Sequence, residues 1–206
     1  MADVRQEAVI AYLRRSQQVV DRAVTDGKFV AATLAIASRI AASLKDGGKL
    51  LLAGNGGSAS DAQHIAAELV GRLVADRAPL AAIALTTDTS ALTAIGNDMG
   101  FEQVFARQLR ALGRKGDVFV GLSTSGRSPN IIEALRAARE LGVVTVGFTK
   151  DAPTPMHALC DLVLGVASDE TALIQQMHIT AGHAICHLVE QELFGSGEGE
   201  RWQPWR

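Results

Sequence analysis

Five short apolar runs punctuate this chain, and they constrain its fold more than any other feature. They cover residues 50–53, 80–85, 117–122, 143–148 and 162–164. Leu50-Leu51-Leu52-Ala53 and Val118-Phe119-Val120-Gly121-Leu122 show no polar alternation. A strand with one solvated face alternates apolar and polar residues, whereas a strand buried on both faces stays apolar. Helical patterns separate the runs. One is capped by Ser58 or Ser60 and reaches about Val74, and another starts at Asp88 or Thr89. A third covers 101–112, a fourth opens with Pro129 in the first helical position and ends at Leu141-Gly142, and a long last helix covers 170–193. Buried strands alternating with helices predict an α/β fold: a five-stranded parallel sheet with helices on both faces.

Two more helices precede the first strand, within 5–45, and Asp26-Gly27 separates them. Val9, Tyr12, Leu13, Val19, Val20 and Val24 form one apolar stripe; Leu34, Ile36, Ile40 and Leu44 form the other. They read as an N-terminal helical arm, and a stripe with no sheet behind it packs on another subunit or across its own domain, with the subunit contact favoured. With 206 residues, 48% of them hydrophobic, the chain can fill a single α/β core. The expected organisation is one domain: N-terminal helices over 1–47, the α/β core with its C-terminal helix over 48–194, and a mobile tail over 195–206.

A formal net charge of -2, with no run of basic residues, gives no basis for binding nucleic acid. The N-terminus is charged and leads into no apolar signal core. No apolar stretch approaches the roughly 18 residues of a membrane span. Cys160 and Cys186 lie far apart in apolar surroundings, as free thiols of a reducing compartment do. A cytoplasmic protein with no membrane partner is expected.

In parallel α/β sheets ligands bind beyond the carboxyl ends of the strands, and two polar loops fall there. Ser123-Thr124-Ser125-Gly126-Arg127-Ser128 links the third strand to the helix opening at Pro129. Backbone N–H groups, a helix N-terminus and several hydroxyls then converge, which suits a phosphate. The segment has no GxxxxGK[ST] lysine, so a monophosphate fits better than a nucleoside triphosphate. Gly54-Asn55-Gly56-Gly57-Ser58 follows the first strand. It lacks the GxGxxG spacing of dinucleotide folds, and Asn55 offers an amide to sugar hydroxyls.

His64 and Glu68 are four residues apart on the next helix, hence on one face. Such a pair can ligate metal, do acid–base work, or form a surface contact. The last helix holds three of the five histidines, His178, His183 and His187, among apolar neighbours. A core role suits any one of them, while the i,i+4 pair His183 and His187 could bind metal.

Together, Gly54-Asn55-Gly56-Gly57-Ser58, Thr93-Ala94-Ile95-Gly96-Asn97-Asp98, the 123–128 segment and Ile174-Gln175 with His178 and His183 resemble the sugar isomerase (SIS) domain, of flavodoxin-like architecture. Within it the chain is most similar to the phosphoheptose isomerases, over nearly its whole length. The resemblance implies conversion of sedoheptulose 7-phosphate to D-glycero-D-manno-heptose 7-phosphate for heptose biosynthesis. It also implies a homotetramer with interfacial active sites and one zinc ion per subunit. Asn55, Gly56, Gly57, Ser58, Glu68, Asn97, Asp98 and Gln175 would contact substrate, and Ser123, Thr124, Ser125 and Ser128 would hold its phosphate. His64, Glu68, Gln175 and His183 would form the metal site, with Glu68 and His183 as the catalytic pair. The chain departs at Leu173, where relatives often carry a basic residue.

Gln175 and His183 lie eight residues apart, about 12 Å along a regular helix. Zinc ligands lie within about 2.3 Å of the ion. One zinc would then take its Gln and His from two chains, or from a kinked helix. Two other readings compete: a SIS-fold regulator that binds the replication initiator protein, and an isomerase for another ketose phosphate. Regulators of that kind lack the catalytic Glu and His, and both residues are present here.

Overall fold

The computed structural model describes residues 4–195; the expected tail beyond Gly195 lies outside them. The strands are β1 Leu50–Gly54, β2 Ala82–Ala84, β3 Val118–Leu122, β4 Val144–Lys150 and β5 Leu162–Val166. The helices are α1 Val4–Thr25, α2 Gly27–Lys45, α3 Gly57–Val70, α4 Thr89–Met99, α5 Val104–Leu112, α6 Pro129–Glu140 and α7 Thr171–Phe194. Short 3₁₀ turns cover Phe101–Gln103 and His157–Leu159. All strand pairs are parallel, in the order β2-β1-β3-β4-β5.

Side chains alternate across each strand, so each continuous apolar run feeds two cores. Leu50, Leu52, Val118 and Val120 pack beneath α2, α3 and α7, against Ile36, Ile40, Leu69 and Ile185. Leu51, Ala53 and Phe119 face the other way, against Val104, Leu109, Ile131 and Leu135 of α5 and α6. Each fully buried Leu contributes about 1.5–3 kcal/mol. A polar residue anywhere in β1 would therefore disturb one core or the other.

Asp26 ends α1 and caps α2, its carboxylate accepting from the Lys28 N–H at 2.9 Å. By length and composition α2 is apolar enough to cross a membrane, which corrects the sequence reading. Its Ile36, Ala37, Ile40 and Ala41 lie in the domain core, and Arg39 is exposed. α1 is docked more lightly. Val19, with Val20 and Ala23, packs on Leu173, Ile174 and Met177, while Val9, Tyr12 and Leu13 are exposed. Leu173, the departure from the usual basic residue, is buried in this small cluster.

α3 differs from expectation at both ends. Neither Ser58 nor Ser60 caps it; the N-cap is Gly56, at a positive φ of 56°, and Ser58 is buried in the first turn. The helix also stops at Val70 instead of continuing to Val74. The N–H groups of Leu73, Val74 and Ala75 donate to the Glu190 carboxylate at 3.0–3.1 Å. Arg77 donates to the carbonyls of Glu68 and Leu69 that a longer helix would have used, at 2.8 Å each. A tertiary carboxylate–guanidinium pair thus takes over the end of the helix and fixes it to α7.

Cys160 and Cys186 are free. Burial, with nearby carboxylates, pushes both thiols up to about 12, so neither is a ready nucleophile.

Candidate active site

The chain reverses its winding direction between β1 and β3. β1 leads through α3 to β2 at one edge, and β3 leads through α6 to β4 on the other side. The crevice beyond the ends of β1 and β3 is the topological switch point, where such sheets bind ligands. Both polar loops open there.

The 123–128 loop is a cluster of hydroxyls on a rigid base. Ser123 is buried, and its N–H donates to Phe148 O at 2.9 Å, continuing the β3–β4 ladder. Its Oγ lies 2.9 Å from Ser128 Oγ and 3.4 Å from Ser125 Oγ. Gly126 has φ +62°, and a Cβ there would collide with Thr154 and come within 2.8 Å of Thr149 Oγ1. The turn is pressed onto the end of β4, and only glycine fits. Ser128 is the N-cap residue of α6 but makes no side-chain capping bond, so its hydroxyl faces its serine neighbours. Oriented donors at a helix N-terminus make an anion site.

The two loops are joined. Asn55 Nδ2 donates to Asn130 Oδ1 at 2.9 Å, and Asn130 Nδ2 donates to Asn55 Oδ1 at 2.8 Å. The sequence singles out Asn55 for sugar hydroxyls, but one donor and one acceptor site of its amide are taken by Asn130. The reading along the chain missed Asn130, a polar residue in the first turn of a helix, because its partner lies 75 residues away. On the far side of the first loop, Gln175 of α7 lies against Gly57; a Cβ on Gly57 would sit 2.7 Å from Gln175 Nε2.

A second cluster forms where α3 and α7 run side by side. His64 Nε2 lies 2.9 Å from Glu68 Oε1 and 3.1 Å from His183 Nε2. The two imidazoles meet edge to face, with centroids 4.9 Å apart. One nitrogen with a single proton cannot satisfy both neighbours, whereas three lone pairs aimed at one point suit a cation. The three donor atoms all lie within 4.8 Å of one another, as metal ligation requires. The set is accessible: the His64 side chain is 50% exposed and that of Glu68 20%. Asp61, one turn earlier, is raised above the ordinary carboxylate range by burial, with His64 pulling it back.

The remaining candidates are dispersed. Asn97 Nδ2 donates to Asp98 Oδ1 at 2.7 Å, and both residues are exposed near the end of α4, a helix with no buried residue. His178 is fully buried beside Phe148, with Nε2 3.4 Å from Thr149 O. Burial depresses its pKa to about 4, so it is a neutral core histidine. His187 lies one turn beyond His183, outside the cluster of His64, Glu68 and His183.

The family model for the SIS domain matches residues 11–150. A parallel sheet carrying a hydroxyl-lined loop at its switch point thus falls in the SIS class of α/β proteins. A phosphoheptose isomerase of Bradyrhizobium sp. (strain ORS 278) is 54% identical over 193 residues, covering 94% of this chain and 98% of that protein. The phosphoheptose isomerase of Desulfovibrio desulfuricans is 61% identical over 158 residues, 77% of this chain and 75% of that one. The solved structure of the Neisseria gonorrhoeae phosphoheptose isomerase superposes with a TM-score of 0.86 at 45% identity, covering 91% of this chain and all of that one. The chain belongs to the phosphoheptose isomerase family of SIS-domain enzymes.

Proposed function

We propose that the protein converts sedoheptulose 7-phosphate to D-glycero-D-manno-heptose 7-phosphate, supplying heptose biosynthesis in the cytoplasm. The observation that carries this reading is the convergence of Glu68 and His183 with His64 on helices that flank the first polar loop, which Asn55 and Asn130 join to the hydroxyl-lined one.

The 123–128 loop anchors the phosphate through Ser123, Thr124, Ser125 and Ser128. Asn55, Gly56, Gly57, Ser58 and Gln175 meet the sugar. Glu68 takes the proton from carbon 1 of the open-chain ketose, and the electron pair moves to give an enediol across carbons 1 and 2. His183 carries the proton between the two oxygens. Glu68 then returns a proton to carbon 2, leaving the aldehyde at carbon 1. Such general acid–base help is worth about 10²–10⁴-fold.

The donor set also supports zinc, one per subunit. The separations of 2.9 and 3.1 Å are near the about 3.3 Å between ligands of a tetrahedral zinc. His64, Glu68 and His183 would hold the ion, and when bound it would polarise the sugar carbonyl. The unbroken span of α7 from Thr171 to Phe194 supports drawing Gln175, as the fourth ligand, from a second chain more than from a kinked helix.

The same geometry supports a homotetramer with interfacial sites. His64 lies seven residues into α3, about 10 Å along the helix from the first loop. Exposed Asn97 and Asp98 on α4, and the exposed Val9, Tyr12 and Leu13 of α1, are the surfaces a neighbour would cover. Glu68→Gln is expected to lower turnover at least 10³-fold, with the oligomer intact by gel filtration. Near-normal turnover in that variant would remove Glu68 as the base.

A further inference from the structure

We infer that Asn130 is a positioning residue that pins the Asn55 amide in place and so sets how the sugar, but not the phosphate, is bound. The inference rests on reading the two loops as a sugar-phosphate site. Asn130 is 3% exposed, in the first turn of α6, and exchanges two hydrogen bonds of 2.9 and 2.8 Å with Asn55. An amide has two N–H donors and two acceptor lone pairs. The clasp uses one of each on Asn55. It leaves one N–H and one lone pair of that half-buried side chain for the crevice.

The clasp fixes the place and plane of the amide. Asn55 can turn over only if Asn130 turns with it, because a flip of one alone would set oxygen against oxygen and N–H against N–H. Asn130 therefore decides where Asn55 presents its remaining donor and acceptor to the crevice. Position adds a second consequence. Asn130 is the second residue of the helix on whose N-terminus the phosphate loop rests, and Asn55 directly follows the strand that opens the sugar loop. The clasp crosses the switch point and ties the two loops together over adjacent strands.

Inorganic phosphate occupies only the hydroxyl loop, so it separates the two halves of the site. In Asn130→Ala the KM and the calorimetric Kd for sedoheptulose 7-phosphate should rise about 10-fold, the worth of one or two oriented hydrogen bonds. The inhibition constant of inorganic phosphate should stay within about 2-fold and kcat within about 3-fold, since the acid–base cluster is untouched. In an Asn55→Ala background the same change should have no further effect, because its only route is through Asn55. Asn130→Asp still accepts from Asn55 Nδ2 but sets its second oxygen against Asn55 Oδ1. Its sugar-to-phosphate ratio should shift as in the alanine variant, and it serves if the alanine variant does not fold.

An unchanged ratio in Asn130→Ala or in Asn130→Asp overturns the inference, as does a full effect in the Asn55→Ala background. A parent protein that neither binds nor turns over the sugar phosphate overturns the functional reading instead, and this inference with it.

Discussion

Replacing Glu190 with Gln should cost this fold more than any comparable change of one polar group. The Glu190 side chain is 3% exposed, and its carboxylate accepts from Leu73, Val74, Ala75 and Arg77. Arg77, 1% exposed, faces it at 2.9 Å and also donates to Glu68 O and Leu69 O. Burial alone would raise the Glu190 pKa, but the three backbone N–H groups and Arg77 outweigh it and leave the carboxyl below its ordinary value. An amide at this position leaves a buried guanidinium uncompensated and turns one N–H toward a backbone donor. Breaking a buried pair from one side costs about 3–5 kcal/mol. For a domain of this size that lowers Tm by about 6–20 °C, read by calorimetry at pH 7. An apolar double replacement, Arg77→Met with Glu190→Leu, should not restore stability. It would orphan the backbone groups at both ends of the network, whereas a simple buried ion pair often tolerates the exchange. A Glu190→Gln protein melting within about 2 °C of the parent would refute this account of how α3 ends.

Acid should weaken the fold through His178. Its folded pKa, depressed by burial to about 4, lies below the unfolded value of about 6.5, so between those values the unfolded chain holds a proton that the native one lacks. Stability should fall by about 2 kcal/mol from pH 7 to pH 5, and His178→Phe should flatten that slope in urea titrations. Gly126→Ala forces an L-residue to φ +62° against Thr154, and should weaken inhibition by inorganic phosphate at least 10-fold.

Much of the sheet was legible because a strand buried on both faces needs nothing from distant sequence. β1 and β3 stand close to where their apolar runs predict, and Pro129 marks the start of α6. The reading failed where distant partners decide local structure. The apolar pattern carries helix through Val74, yet Glu190, 116 residues away, takes the amides that would continue it. A serine-rich sequence suggested caps for α3, but the tight turn at Gly56 starts the helix without one. In the site, His64 and Glu68 announce themselves by spacing, and His183 joins them across 119 residues. Asn130 carries no such signal, because a reciprocal amide pair has no periodicity to detect. α2 passes for a membrane helix by composition because its outer face is apolar as well.

The central claim is that the Glu68–His183 pair moves a proton between neighbouring sugar carbons while the 123–128 loop holds the phosphate. It is tested most directly by incubating the purified, zinc-supplemented protein with sedoheptulose 7-phosphate in deuterium oxide and reading the product by NMR. The account predicts heptose 7-phosphate carrying solvent deuterium on carbon 2, delivered by a carboxylate accessible enough to exchange. Aldose formed without deuterium would contradict proton transfer through a solvent-accessible Glu68, and no aldose at all would contradict the isomerase.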